Sequence, residues 1–146
     1  MNAPFKLIIL WVTGFLVFTV FDLLWIGVVA APVYREELGS LLVLGEKMSV
    51  TRILAALITW LLITLSLVYF AAPNMSQGVA VALARGALMG FVIYGVYDLT
   101  NLAVLQGWTL KLTILDVLWG TFACASVNVV LFGISRWLLS GHQGSN

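Results

Sequence analysis

Charge is scarce in this chain of 146 residues: 9% are charged, against about a quarter in a soluble domain. Hydrophobic residues make up 62%, and the mean hydropathy is +1.10. No water-soluble surface can be built from that composition. Seven Lys/Arg against six Asp/Glu leave a formal charge of +1, so there is no basic field to attract nucleic acid, which is excluded as a partner. The single cysteine, Cys124, lies in an apolar run and cannot form an internal disulfide. No Cys/His cluster has metal-ligand spacing, and Cys124 is expected to be small buried packing. The only histidine, His142, falls in the polar tail from Gly141 to Asn146, which excludes haem ligation and histidine catalysis inside a membrane. No cofactor and no resident metal are expected, and membrane lipids are the expected surroundings.

What is present is apolar sequence in long runs. A membrane span needs about 20 mainly apolar residues, because the hydrocarbon is roughly 30 Å thick and a helix rises about 1.5 Å per residue. Four segments qualify: Leu7 to Ala31, interrupted by Asp22; Ile53 to Ala72, without charge; Leu83 to Leu105, with Arg85 at its start and Asp98 inside; and Leu112 to Ser135, with Asp116 in its second turn and Arg136 closing it. Lone strands in lipid would leave their amides unsatisfied, so all four must be helices. The expected fold is all-α, an integral membrane four-helix bundle in one domain covering 1–146. The first segment is too long for the apolar core of a signal peptide, and Pro32 would hinder cleavage after Ala31. The second span, the most uniformly apolar, is expected to be the most exposed to lipid.

The longest connection holds a short amphipathic pattern, with Tyr34, Leu38, Leu41 and Leu42 on one helical face and Arg35, Glu36 and Ser40 opposite; this reads as an interfacial helix, with an irregular loop as the alternative. The connections Pro73 to Gly78 and Gln106 to Lys111 are short, so successive helices should be antiparallel neighbours. Orientation is undetermined by charge: Lys6, Arg85 and Arg136 mark the side of the termini, and Arg35, Lys47, Arg52 and Lys111 the other. On the general prior for even-span bacterial proteins, both termini are placed in the cytoplasm.

Laying span one over span three with an offset of 76 pairs Phe18 with Tyr94, Val20 with Val96, Phe21 with Tyr97, Asp22 with Asp98 and Leu23 with Leu99. The only acid of each span coincides, as a duplicated two-helix unit would produce. Asp22 and Asp98 fall about three and four residues past mid-span toward one side; Asp116 lies about eight from its own centre, near the interface on that side. An aspartate near a helix centre costs roughly 2.5–3.5 kcal/mol to insert, so two deep ones imply partners or a role. Tyr94, Asp98 and Asn101 form a polar stripe at helical spacing, continued by Gly86 and Gly90, whose small-residue spacing lets another helix come close. On span one Asp22 and Trp25 make a similar stripe with Phe18, and Thr59 with Ser66 could complete it from span two. The echo of Asp22-Leu23-Leu24-Trp25 in Asp116-Val117-Leu118-Trp119 adds Asp116 and Trp119 to the candidate site. Arg52 and Lys111 begin spans on the acidic side, and Arg52 is expected to bridge Asp22, Asp98 or Asp116, directly or through water. The bland alternatives are that Trp11, Trp60, Trp108 and Trp137 are interfacial or lipid-facing anchors, and that Asp116 merely complements a helix dipole.

The runs Phe21-Asp22-Leu23-Leu24-Trp25-Ile26-Gly27, Tyr97-Asp98-Leu99-Thr100-Asn101 and Leu115-Asp116-Val117-Leu118-Trp119-Gly120 resemble a family of bacterial membrane proteins known as domain of unknown function 2177. The resemblance spans nearly the whole chain. It implies four spans and a bacterial inner-membrane location, and carries over no catalytic residue. From the residues, the leading expectation is a small transporter or permease in which Asp22 and Asp98 bind a small cation, a proton or a cationic solute. Four spans are few for a pathway, and a homodimer joined along the small face of span three would supply the rest. One alternative is a membrane-embedded enzyme acting on a lipid-like ligand, with Asp98 or Asp116 as acid or base; a metal-dependent version would draw on Asp22, Asp98 and Asn101. The other is an accessory subunit whose aspartates pair with a partner's basic groups.

Overall fold

Long apolar runs in lipid can satisfy their amides only within themselves, and the described residues fold mainly into helices. The computed structural model describes residues 3–43, 48–71 and 78–140. Helix α1 spans Ala3–Leu24 and is extended by a π-helical turn over Trp25–Val29; α2 spans Ala31–Leu38 and tightens into a 3-10 turn at Gly39–Leu41. Helix α3 runs Val50–Ser66 and ends in a second π turn, Leu67–Ala71; α4 covers Val79–Val104 and α5 Leu110–Ser140. No strand occurs among the described residues. Lys47, the connection 72–77 and the tail with His142 lie outside them.

Local chemistry accounts for the boundaries. Pro32 opens α2, where its fixed φ suits a first turn and its missing N–H costs nothing. Gly39 closes that helix at a φ of 50°, a left-handed value that a side chain would resist. Ser49 caps α3, its hydroxyl accepting the Arg52 backbone N–H at 3.4 Å. The helices overrun the expected spans by up to five residues, as α5 does past Ser135 to Ser140, because hydropathy marks the hydrocarbon while caps and flanking turns set where a helix ends.

Among the described residues, four helices are long and apolar enough to cross a membrane: Pro4–Val29, Val50–Ala71, Val79–Val104 and Leu110–Leu138. Together they form the expected four-helix bundle. Helix α5 is its axis, packed along α4, against α1 and against the end of α3, with α2 beside its first turns. Its apolar stretch is 44% buried, whereas the other three are each 22%. The second span is therefore no more exposed than the first or third, contrary to expectation. Lipid tails and protein interior accept the same aliphatic side chains, so apolarity does not say which of them a helix meets.

The α4–α5 contact is close because both helices lack side chains there. A Cβ on Gly86 would stand 2.6 Å from the Cys124 carbonyl oxygen, one on Gly90 would collide with the Gly120 backbone, and one on Gly120 would strike the Tyr94 ring. Asn128 donates to the Ala82 carbonyl at 2.6 Å across the same seam. The small face of span three, expected as a seam between two copies, is thus occupied by the chain's own fourth span. Cys124 is free and fully buried in this packing, as its apolar setting predicts.

The offset of 76 also aligns the faces. Leu10, Gly14, Phe18 and Asp22 point inward from α1; Gly86, Gly90 and Asp98, together with the half-buried Tyr94, take the same register on α4. The two inward stripes coincide position for position, which is what a duplicated two-helix unit would leave.

Candidate functional site

Each aspartate lies six or seven residues from the helix end on one side of the bundle, Asp22 before Val29, Asp98 before Val104 and Asp116 after Leu110. At about 1.5 Å per residue all three sit about 9–10 Å inside the bundle. Asp116 is not the shallow, dipole-complementing residue of the alternative reading: it is 6% exposed, as is Asp22, and Asp98 is 0% exposed. Three spans therefore place one buried carboxyl each at one depth. Asp116 interacts electrostatically with both Asp22 and Asp98, which makes it the middle of the group.

Their hydrogen bonds differ sharply. Asp22 is fully committed: Trp60 Nε1 donates to Oδ2 at 2.7 Å and Trp119 Nε1 to Oδ1 at 3.1 Å. Asp116 accepts from the Tyr34 hydroxyl, which α2 delivers to the buried end of α5. Asp98 has no hydrogen-bond partner on either oxygen. Nearby donors are also uncommitted. The Trp25 indole N–H, whose polar neighbours are Tyr34 and Asp116, makes no hydrogen bond of good geometry, and neither does the Asn101 amide nitrogen one turn beyond Asp98.

Aromatic rings wall the group. Trp25 and Trp119 stack face to face, centroids 4.4 Å apart and planes 1° from parallel, and Phe122 tilts against Trp119 at 5.8 Å. Tyr94 stands beside Asp22, in the room left by Gly120. Toward the end of the bundle, Ala30, Tyr34 and Leu112 form a small core with Trp25, Ile26, Leu38, Leu42 and Trp108 packed around it.

Helix α2 is amphipathic as its pattern predicts, with Tyr34, Leu38 and Leu42 packed and Arg35, Glu36 and Ser40 exposed; Leu41 turns out to solvent or lipid instead. Lys111 fastens α2 to α5, at 2.8 Å from Glu37 and 3.4 Å from Glu36. The hydrogen bond from Lys111 holds the Glu37 carboxyl below its ordinary range. Burial, then the adjacent Asp116 charge, pushes the Tyr34 phenol well above its ordinary value, so it remains a neutral donor across physiological pH.

Several expectations are corrected here. Arg52 bridges no aspartate: its side chain is exposed at the first turn of α3, and it makes no ion pair with an aspartate. Trp60, which does reach Asp22, lies eight residues further in, about 12 Å along the helix, beyond a guanidinium's span. Lys111 pairs with Glu36 and Glu37 rather than with the cluster. Thr59 and Ser66 do not complete the site either, since each hydroxyl bonds back to its own helix, to Ala55 and Leu62. Trp60 is neither an interfacial nor a lipid-facing anchor: it sits in the middle of α3 and turns its indole N–H inward to Asp22, and its mid-span position is the cue in the sequence. Trp11 and Trp108 also donate inward, to the Leu61 carbonyl and the Thr113 hydroxyl. Tyr34 and Asn128 are the remaining additions; a phenol on an apolar face and an amide in mid-span were the available cues.

The described residues contain no group of three or more His, Cys, Asp and Glu placed to hold a metal ion. Asp22 could not join one without releasing two indoles. A family model described as Predicted membrane protein (DUF2177) matches residues 7–132. No curated protein and no solved structure matches the chain.

Proposed function

We propose that this chain, which belongs to the family of predicted membrane proteins DUF2177, is a multi-pass protein of the bacterial inner membrane that binds a proton or small monovalent cation at Asp98 and moves it across the bilayer. The observation that carries this reading is the contrast among the three acids. Asp22 and Asp116 are held by indole and phenol donors, while Asp98, equally deep and completely enclosed, is held by nothing. A charged carboxylate without donors in an apolar interior costs several kcal/mol, and a proton or cation on Asp98 removes that cost. A group stable when loaded and unstable when empty is suited to taking up and releasing a cation. Asp22 and Asp116 then serve as the frame that fixes the depth and shape of the site.

The test is flux. Purified protein is reconstituted in liposomes carrying pH- and cation-sensitive dyes, and the native chain is compared with Asp98→Asn, which keeps size but loses the proton-accepting carboxylate. Native protein should pass protons or a monovalent cation, and a folded Asp98→Asn should lose at least about tenfold, or 1.4 kcal/mol in the limiting step. Undiminished flux in a folded Asp98→Asn would refute the assignment. Lipid turnover without ion flux in the same vesicles would replace it with the membrane-embedded enzyme.

A further inference from the structure

We infer that the ligand of Asp98 is a singly charged ammonium carrying its own N–H donors, such as a small primary amine in its protonated form. This deepens the reading above by naming the chemical class, and it rests on that reading only for the location of the site.

The uncommitted oxygens set where a ligand can be held. Both oxygens of Asp22 and Oδ1 of Asp116 already accept hydrogen bonds. Both oxygens of Asp98 are buried and unpartnered. One carboxylate without donors offers its two oxygens to a single cationic head. A hard divalent cation asks for six or more oxygen ligands, and freeing Asp22 to supply them would strand the Trp60 and Trp119 N–H groups in an apolar interior. Alkali ions likewise depend on surrounding oxygens. An ammonium brings three N–H donors in a compact head and needs acceptors only, which Asp98 offers on both atoms.

The aromatic wall argues against a quaternary ammonium. Such ions are recognised by open ring faces, but Trp25 and Trp119 cover each other's inner faces at 4.4 Å and Phe122 leans on Trp119. The uncommitted donors point the same way. Asn101 Nδ2, one turn beyond Asp98, carries buried N–H donors without an acceptor, so an ammonium bearing a neighbouring hydroxyl or ester oxygen would satisfy both kinds of orphan. Free amino alcohols and the amine headgroup of a phospholipid share this chemistry.

Equilibrium binding tests the inference apart from flux. Native protein in nanodiscs of phosphatidylcholine, a lipid without a primary amine, is melted with methylammonium, ethanolamine, tetramethylammonium, sodium, potassium, magnesium or calcium chloride at matched ionic strength. Methylammonium and ethanolamine should raise the melting temperature by about 5 °C or more when about 100-fold above their dissociation constants, and Asp98→Asn should abolish the shift. Equal stabilisation by tetramethylammonium, or stabilisation by the metal ions alone, would overturn the class assigned. So would an absence of any ligand shift. A shift produced only by phosphatidylethanolamine in the nanodisc and lost in Asp98→Asn would support the class and assign it to the lipid headgroup. Should Asp98→Asn fail to fold, infrared difference spectra of native protein decide: methylammonium must perturb a carboxyl band, and silence there overturns the inference. Ammonium binding without flux would remove the transport role and leave the ligand class standing, and proton flux without ammonium binding would do the reverse.

Discussion

Asp22 keeps its place by receiving two indole N–H groups, and each of those donors has no other role in the interior. Trp60→Phe preserves the ring and removes one donor, leaving a buried carboxyl oxygen bare. The expected loss is about 1–3 kcal/mol, read as a lower midpoint in thermal unfolding in bicelles; a Trp60→Phe protein as stable as the native one would contradict the hydrogen bond. Glycines give a second contrast at this scale. The Cβ of Gly90→Ala meets the Gly120 backbone, which has no rotamer to yield, so the helices must part, at a cost of about 1–3 kcal/mol. Gly95 has nothing within 4 Å of its virtual Cβ. Gly95→Ala should therefore be neutral, or stabilising by up to about 1 kcal/mol from helix propensity. The two variants falling together in an unfolding series would show that α4 and α5 do not meet as described.

Among the elements, α2 is the one whose attachment can be dissected. It is joined to α5 by a buried hydrogen bond, Tyr34 to Asp116, and by ion pairs from the exposed Lys111 to the exposed Glu36 and the partly buried Glu37. Exposed pairs contribute little because water screens them and long side chains must be ordered, so Lys111→Ala should leave the melting temperature unchanged within error. Tyr34→Phe removes the phenol donor to Asp116 and should speed hydrogen exchange over 31–38 and 110–116 severalfold. Faster exchange in Lys111→Ala than in Tyr34→Phe would invert that ranking. The pH dependence follows from Glu37. Its folded carboxyl titrates below its ordinary range, so its small contribution is present at neutral pH and fades as pH falls through that lowered value. The raised Tyr34 phenol behaves oppositely, keeping its hydrogen bond until strongly alkaline pH.

For the molecule as a whole, α5 carries the bundle. It touches α1, α2, α4 and the end of α3, and its apolar stretch is twice as buried as any other. Amides in its middle, around Ala123 to Leu131, should exchange most slowly in mass-resolved hydrogen exchange, while the outer faces of α1, α3 and α4 should react first with a bilayer-dissolved carbene. Slowest exchange in α3 would contradict the central place of α5. The paired register of α1 and α4 is also a whole-molecule property: Phe18 over Tyr94 and Asp22 over Asp98 face the same axis helix from two sides.

Hydropathy by itself determined the four spans, because about 20 apolar residues have one stable form in lipid, and it singled out Asp22, Asp98 and Asp116, because an acid in such a run is costly wherever the helix turns. The helical spacing of Tyr34 and Leu38 also foretold the packed face of α2. Only the tertiary structure decided which acid has partners. Trp60 to Asp22 and Tyr34 to Asp116 join residues 38 and 82 positions apart, and Arg52, closer in sequence to Asp22 than several true neighbours, lies a helix turn or more too far out. Periodicity gives the face of a helix but not what stands opposite it, and in a membrane lipid and protein reward the same apolar surface. Whether a carboxyl is tied down or left free depends on donors brought by other helices, and that is settled only when the helices pack.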